Sequence, residues 1–63
     1  MRRPSVLVVD DDAFSRTVVS RRVAKLSDVV EAEDGLDALA HLQKAEFDLA
    51  IVDLEMPNFN AST

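Results

Sequence analysis

The sequence predicts an α/β domain with a parallel sheet, its elements in the order β-α-β-α-β. Two short aliphatic runs, Val6-Leu7-Val8-Val9 and Leu49-Ala50-Ile51-Val52, lack polar alternation, as strands covered on both faces do. Each run leads directly into aspartate, at Asp10-Asp11-Asp12 and at Asp53. Between these runs the apolar residues recur mainly at helical spacing. Strands that alternate with helices pair in parallel through crossovers, which are right-handed in about 98% of cases.

Pro4 precedes the first strand, residues 5–9, where its missing N–H costs no ladder bond. Residues 13–26 read as the first helix, with Phe14, Val18, Val19, Val23 and Leu26 on one broad face. Asp12 is the expected N-cap, and Arg21, Arg22 and Lys25 suit the last turns, where cations complement the helix dipole. Arg22 falls near the centre of the apolar stripe, so its head is expected to snorkel to water.

Residues 29–32 read as a second, weaker strand, and Glu33-Asp34-Gly35 as a turn. Gly35 is the only glycine and is expected to hold a backbone position other residues tolerate poorly. Leu36, Leu39 and Leu42, with Ala38 and Ala40, mark a second helix reaching residue 46, with His41 exposed on its opposite side. Residues 47–54 form the third strand, and Met56-Pro57-Asn58-Phe59-Asn60 is a turn-rich exit. Phe14 and Phe59 read as packing residues. With strands 2 and 3 on opposite sides of strand 1, the order is 2-1-3 and the helices cover both faces. Strands 1 and 3 then end side by side, about 4.8 Å apart, at a topological switch point where ligands bind.

Composition narrows the function. A formal net charge of −5 argues against direct nucleic-acid binding, and the absence of cysteine excludes disulfides and thiolate metal sites. No apolar run approaches the ~20 residues that span a membrane, and residues 1–63 are expected to form one cytoplasmic domain. A chain this short buries only about 60% of its unfolded surface, which favours oligomerisation.

Taken alone, Asp10-Asp11-Asp12 is better explained as a helix cap with a solvated turn. Its meeting with Asp53 at neighbouring strand ends shifts the reading toward a site. Clustered carboxylates repel one another, and an Mg²⁺ ion held by oxygen ligands offsets that repulsion. A carboxylate beside such an ion can attack phosphorus, which makes Asp53 the candidate nucleophile and the first-strand aspartates the candidate metal holders.

Three segments resemble the receiver domain of two-component response regulators: Val6-Leu7-Val8-Val9-Asp10-Asp11-Asp12, Val29-Val30-Glu31-Ala32-Glu33-Asp34-Gly35-Leu36-Asp37-Ala38-Leu39, and Phe47-Asp48-Leu49-Ala50-Ile51-Val52-Asp53-Leu54-Glu55-Met56-Pro57. Their order and spacing carry the resemblance across nearly the whole chain. It implies a flavodoxin-like fold, a signalling module that is not itself an enzyme, and a sensor histidine kinase as partner. Asp53, before Leu-Glu-Met-Pro, corresponds to the phosphoacceptor. Asp11 matches the main Mg²⁺ ligand, with Asp10 beside it, and the backbone carbonyl of Glu55 corresponds to the third protein ligand.

The resemblance also implies departures. A receiver has five β-α units, and its hydroxyl residue on the fourth strand and lysine on the fifth have no counterpart here. Asn60-Ala61 replaces the usual glycine, and Arg22 stands where an aliphatic residue is usual. The expectation is a truncated receiver, impaired as a switch, whose strand 3 is an apolar edge that joins a second copy in a homodimer ordered 2-1-3-3′-1′-2′. The alternatives are a dimerising or partner-sequestering remnant that is not phosphorylated, and a fragment with no function of its own.

Overall fold

Val6, Leu7, Val8 and Val9 form the strand with a neighbour on each edge. The computed structural model describes residues 2–53, running β1 (Ser5–Asp10), α1 (Ala13–Val23), β2 (Asp28–Ala32), α2 (Gly35–Lys44) and β3 (Leu49–Asp53). The three strands are parallel, in the expected order β2-β1-β3. Val6 is aligned with Val29 and Leu49, and Val9 with Ala32 and Val52.

Side chains alternate along a strand, so aligned residues share a face. Leu7, Val9 and Ala32 pack with Ala38 of α2, and Val30 and Phe47 close on them. Val6 and Val8 point to the other face, where α1 lies over β1 and β2. The helices therefore cover opposite faces, and the four aliphatic residues of β1 are only 1–3% exposed.

Each helix is about three turns long, too short to persist alone in water, and each has a built start. Asp12 caps α1, accepting the Ser15 N–H at 2.8 Å. Asp34 caps α2, accepting the Asp37 N–H at 2.8 Å, while Asp37 reaches back to the Glu33 N–H at 3.2 Å. The amino end of the sheet is tied by Arg3. Its guanidinium donates to the carbonyls of Ala24 and Ser27 at 2.6 and 2.9 Å and lies 3.3 Å from the Asp28 carboxylate. On the other side, Ser5 N–H donates to the Asp48 carboxylate at 2.7 Å.

Both helices are rolled relative to the sequence expectation. In α1 the inward face is Arg16, Val19, Ser20 and Val23, with Ser20 buried, whereas Phe14 and Leu26 are exposed. The roll removes the anomaly at Arg22, which stands on the exposed side. Helix α2 seats small Ala38 against the sheet and leaves Leu36, Leu39 and Leu42 exposed; His41 is half-buried, 3.5 Å from Asp37, and not fully exposed as expected. The reason is reach: both helices pack on β1 and β2, and neither packs on β3. Gly35 also differs from expectation. It is the first residue of α2, with no positive φ, and a Cβ there would meet nothing within 4 Å.

Element ends shift slightly. Helix α1 stops at Val23, α2 at Lys44, and β3 starts at Leu49. Ala24 N–H closes the last turn of α1 onto Ser20 at 2.8 Å. Among the described residues no helix is long and apolar enough to cross a membrane. The expectations for Leu54, Glu55, Met56, Pro57 and Phe59 lie outside the described residues.

Candidate functional site

The carboxyl ends of β1 and β3 meet as expected: Asp10 is the register partner of Asp53. Parallel neighbours at about 4.8 Å with matched register place both residues on one face of the sheet. Their environments differ. Asp10 is 3% exposed, whereas Asp53 is open to solvent.

The turn after β1 divides three consecutive acids among distinct tasks. Asp12 serves α1 as its cap. The bonds from Ser15 to its carboxylate hold its pKa below the ordinary 3.8, with a smaller contribution from the positive charge of Arg16. Asp10 accepts the Asp12 N–H on Oδ1 at 2.9 Å, which closes the turn. Its Oδ2 is buried and, among the described residues, has no hydrogen-bond partner. Asp11 lies between them, exposed.

Arg16 reaches this turn from α1. Its Nη1 donates to the Asp10 carbonyl at 2.9 Å, and its Nε donates to the Glu31 carboxylate on β2 at 3.1 Å. The Arg16 side chain is 20% exposed and that of Glu31 44%. Neither residue stands out as a site residue in the sequence. The available signal is that Arg16 falls four residues after Asp12, one helical turn into α1 and above the acids.

A buried carboxylate oxygen with no partner is costly unless a donor or cation satisfies it. Asp10 Oδ2 therefore fits the expected Mg²⁺, because the donor is hard, anionic and preformed. The described residues do not complete a metal site: among them, no group of three or more histidine, cysteine, aspartate or glutamate side chains is gathered as one. Asp10 and Asp53 are brought together in register, Asp11 stands exposed on the adjoining turn, and the Glu55 carbonyl lies outside the described residues. A groove of about 470 Å³ between α1 and β2 includes none of these aspartates. It is lined by one basic residue, Arg21, and two acidic ones, Asp28 and Glu31, each of which is also paired with an arginine outside the groove.

Comparison with known proteins bears on the family of the chain. The family model for the response regulator receiver domain matches residues 6–61. Transcription factor SKN7 of Saccharomyces cerevisiae is 39% identical over 59 residues, covering 92% of this chain and 10% of the relative. The protein-glutamate methylesterase/protein-glutamine glutaminase of Pyrococcus horikoshii is 40% identical over 62 residues, 94% of this chain and 17% of the relative. Sensor protein EvgS of Escherichia coli is 39% identical over 57 residues, 89% of this chain and 5% of the relative. The chain thus spans a small part of the length of the curated relatives it matches.

Proposed function

The chain belongs to the response regulator receiver domain family, and from that premise we propose that it accepts a phosphoryl group on Asp53 from a phosphohistidine of a sensor histidine kinase in the cytoplasm. The observation that carries this reading is the alignment of exposed Asp53 with buried Asp10, whose Oδ2 lacks a partner among the described residues. One carboxylate is free to meet an incoming group, and the other is fixed beside it.

Asp10 and Asp11 would hold Mg²⁺, with Asp53 and the carbonyl of Glu55 completing the protein's share. A bound Mg²⁺ supplies charge stabilisation for the phosphoryl oxygens. The remaining work belongs to the chain. An Asp53 carboxylate oxygen attacks phosphorus, forming a P–O bond. The P–N bond to the donor histidine breaks, and the imidazole leaves with the electron pair and regains its proton balance from water. Exposure of Asp53 admits the donor, and the buried Asp10 keeps its place through the turn bond to Asp12. The module transfers no group onward by itself in this reading, and with a net charge of −5 it binds its partner without direct nucleic-acid contact.

Incubating the chain with Mg²⁺ and a small acyl phosphate donor, followed by intact-mass measurement, tests the reading. The expected result is one phosphoryl adduct, absent without Mg²⁺ and absent in Asp53→Ala. No adduct in the wild-type chain, or an undiminished adduct in Asp53→Ala, contradicts it.

A second reading rests on β3. Leu49 and Val52 are exposed, and among the described residues its outer edge pairs with no strand. An apolar edge of this kind pairs readily with another chain, which supports a homodimer through β3 that either accompanies phosphoryl transfer or acts without it. Sedimentation that finds a folded monomer at micromolar concentration contradicts the dimer.

A further inference from the structure

We infer that Arg16 is a positioning residue for the acidic site, fixing the backbone that carries Asp11 through its two bonds to the Asp10 carbonyl and to Glu31. The inference rests on the divalent-cation reading above. Asp11 makes no side-chain bond of its own among the described residues, yet the peptide planes on both sides of it are pinned. The Asp10 carbonyl belongs to the plane leading into Asp11 and is held by Arg16 at 2.9 Å. The Asp12 N–H belongs to the plane leading out and is held by Asp10 Oδ1 at 2.9 Å. A turn fixed at both ends fixes the Cα–Cβ direction of Asp11, which leaves its carboxylate only a choice of side-chain rotamers.

Arginine suits this task because one planar head donates in two directions at once. Its Nε is spent on Glu31 of β2 and its Nη1 on the turn, so the turn is referenced to the sheet as well as to α1. The backbone adds a further tie, from Arg16 N–H to the Asp12 carbonyl at 2.9 Å. Lysine offers a single ammonium on a flexible stem and cannot reproduce the fork.

Position and charge make opposite demands here, which renders the inference testable by sign. A guanidinium beside a cation site repels the cation, so removing it strengthens Mg²⁺ binding if charge is all that matters. If Arg16 holds the turn, its removal weakens binding. Loss of outer groups that orient metal ligands typically costs about 10–100-fold in affinity.

The test titrates the whole 63-residue chain with Mg²⁺ alone by calorimetry, at a temperature where circular dichroism shows each variant fully folded. Arg16→Met is expected to weaken Mg²⁺ about tenfold or more. Arg16→Lys is expected to show a smaller loss, and Glu31→Gln, which leaves the bond to the Asp10 carbonyl in place, the smallest. Unchanged or tighter binding in folded Arg16→Met overturns the inference. Arg16→Lys binding as tightly as wild type overturns it too, and that variant decides the matter if Arg16→Met does not fold. Wild-type protein that binds no Mg²⁺ overturns the cation reading itself, an outcome distinct from a wild type that binds and a variant that binds equally well.

Discussion

Strands β1 and β3 share much of their chemistry: a run of aliphatic residues closed by aspartate. Their surroundings differ sharply. Leu7 and Val8 are 1% exposed, while Leu49 and Val52 are 57% and 60% exposed. Composition cannot separate them. The separation comes from neighbours, since β1 has a strand on each edge and a helix on each face, whereas among the described residues β3 pairs only with β1 and meets neither helix. The two terminal aspartates inherit the contrast. Asp10 is a fixed, buried carboxylate, and Asp53 is an accessible one. In the proposed function the buried one helps to hold an ion and the accessible one receives the group.

The contrast is broken most strongly by cutting into β1. Leu7→Ala removes a fully buried side chain and is expected to cost about 2–5 kcal/mol, a large fraction of the stability of a typical domain. The corresponding change in β3, Val52→Ala, is expected to stay within about 0.5 kcal/mol. Urea unfolding followed by circular dichroism measures both, and equal losses would show that β3 is covered in solution.

The aspartates sharpen the comparison at the next scale. Asp10→Ala leaves the Asp12 N–H unpaired in a partly buried turn, a loss of about 1–3 kcal/mol, but it also removes a buried oxygen that has no partner among the described residues, so without Mg²⁺ the net loss is expected at or below the low end of that range. Asp53→Ala is expected to leave stability within about 0.5 kcal/mol while abolishing the phosphoryl adduct. Saturating Mg²⁺ should raise the melting temperature of the wild-type chain by mass action, with the rise lost in Asp10→Ala.

Smaller effects concern the helix starts. Gly35 occupies an ordinary helical position with open space beside it, so Gly35→Ala is expected to stabilise by about 0.4–1 kcal/mol through the unfolded chain. Asp12 gives a pH signature. Its folded pKa lies below the ordinary 3.8, so the cap's contribution is present above that value and fades as pH falls through the depressed one. Acid titration of stability should show Asp12→Asn flatter than wild type in this range, and identical curves would remove Asp12 from the account.

Much of the fold was legible because it rests on patterns that survive without coordinates. Valine-rich runs and alternating elements gave parallel strands, and with strands 2 and 3 set on opposite sides of strand 1 they brought the Asp10-Asp11-Asp12 cluster beside Asp53; the register that pairs Asp10 itself with Asp53 came from the structure. The helix rolls were not legible. An apolar stripe such as Leu36, Leu39 and Leu42 marks the inward face only when enough surface lies beneath it, and α2 meets just β1 and β2. Arg16 was hidden for a related reason. Its role depends on the roll of α1, which turns it toward the Asp10 carbonyl and Glu31, and residue type alone places an arginine in solvent. Arg3 and Asp48 escaped notice because they join segments far apart in sequence, which short-range spacing does not register.

We propose that β1 and β3 jointly build one phosphoacceptor site with Asp53 as its acceptor. Reductive trapping measures this most directly. Borohydride treatment of the phosphorylated chain converts the aspartate bearing an acyl phosphate to homoserine, and peptide mapping by mass spectrometry locates it. Homoserine at position 53, formed only when Mg²⁺ was present and Asp10 intact, is the predicted result. Homoserine at another aspartate, or its formation unchanged in Asp10→Ala, contradicts the claim.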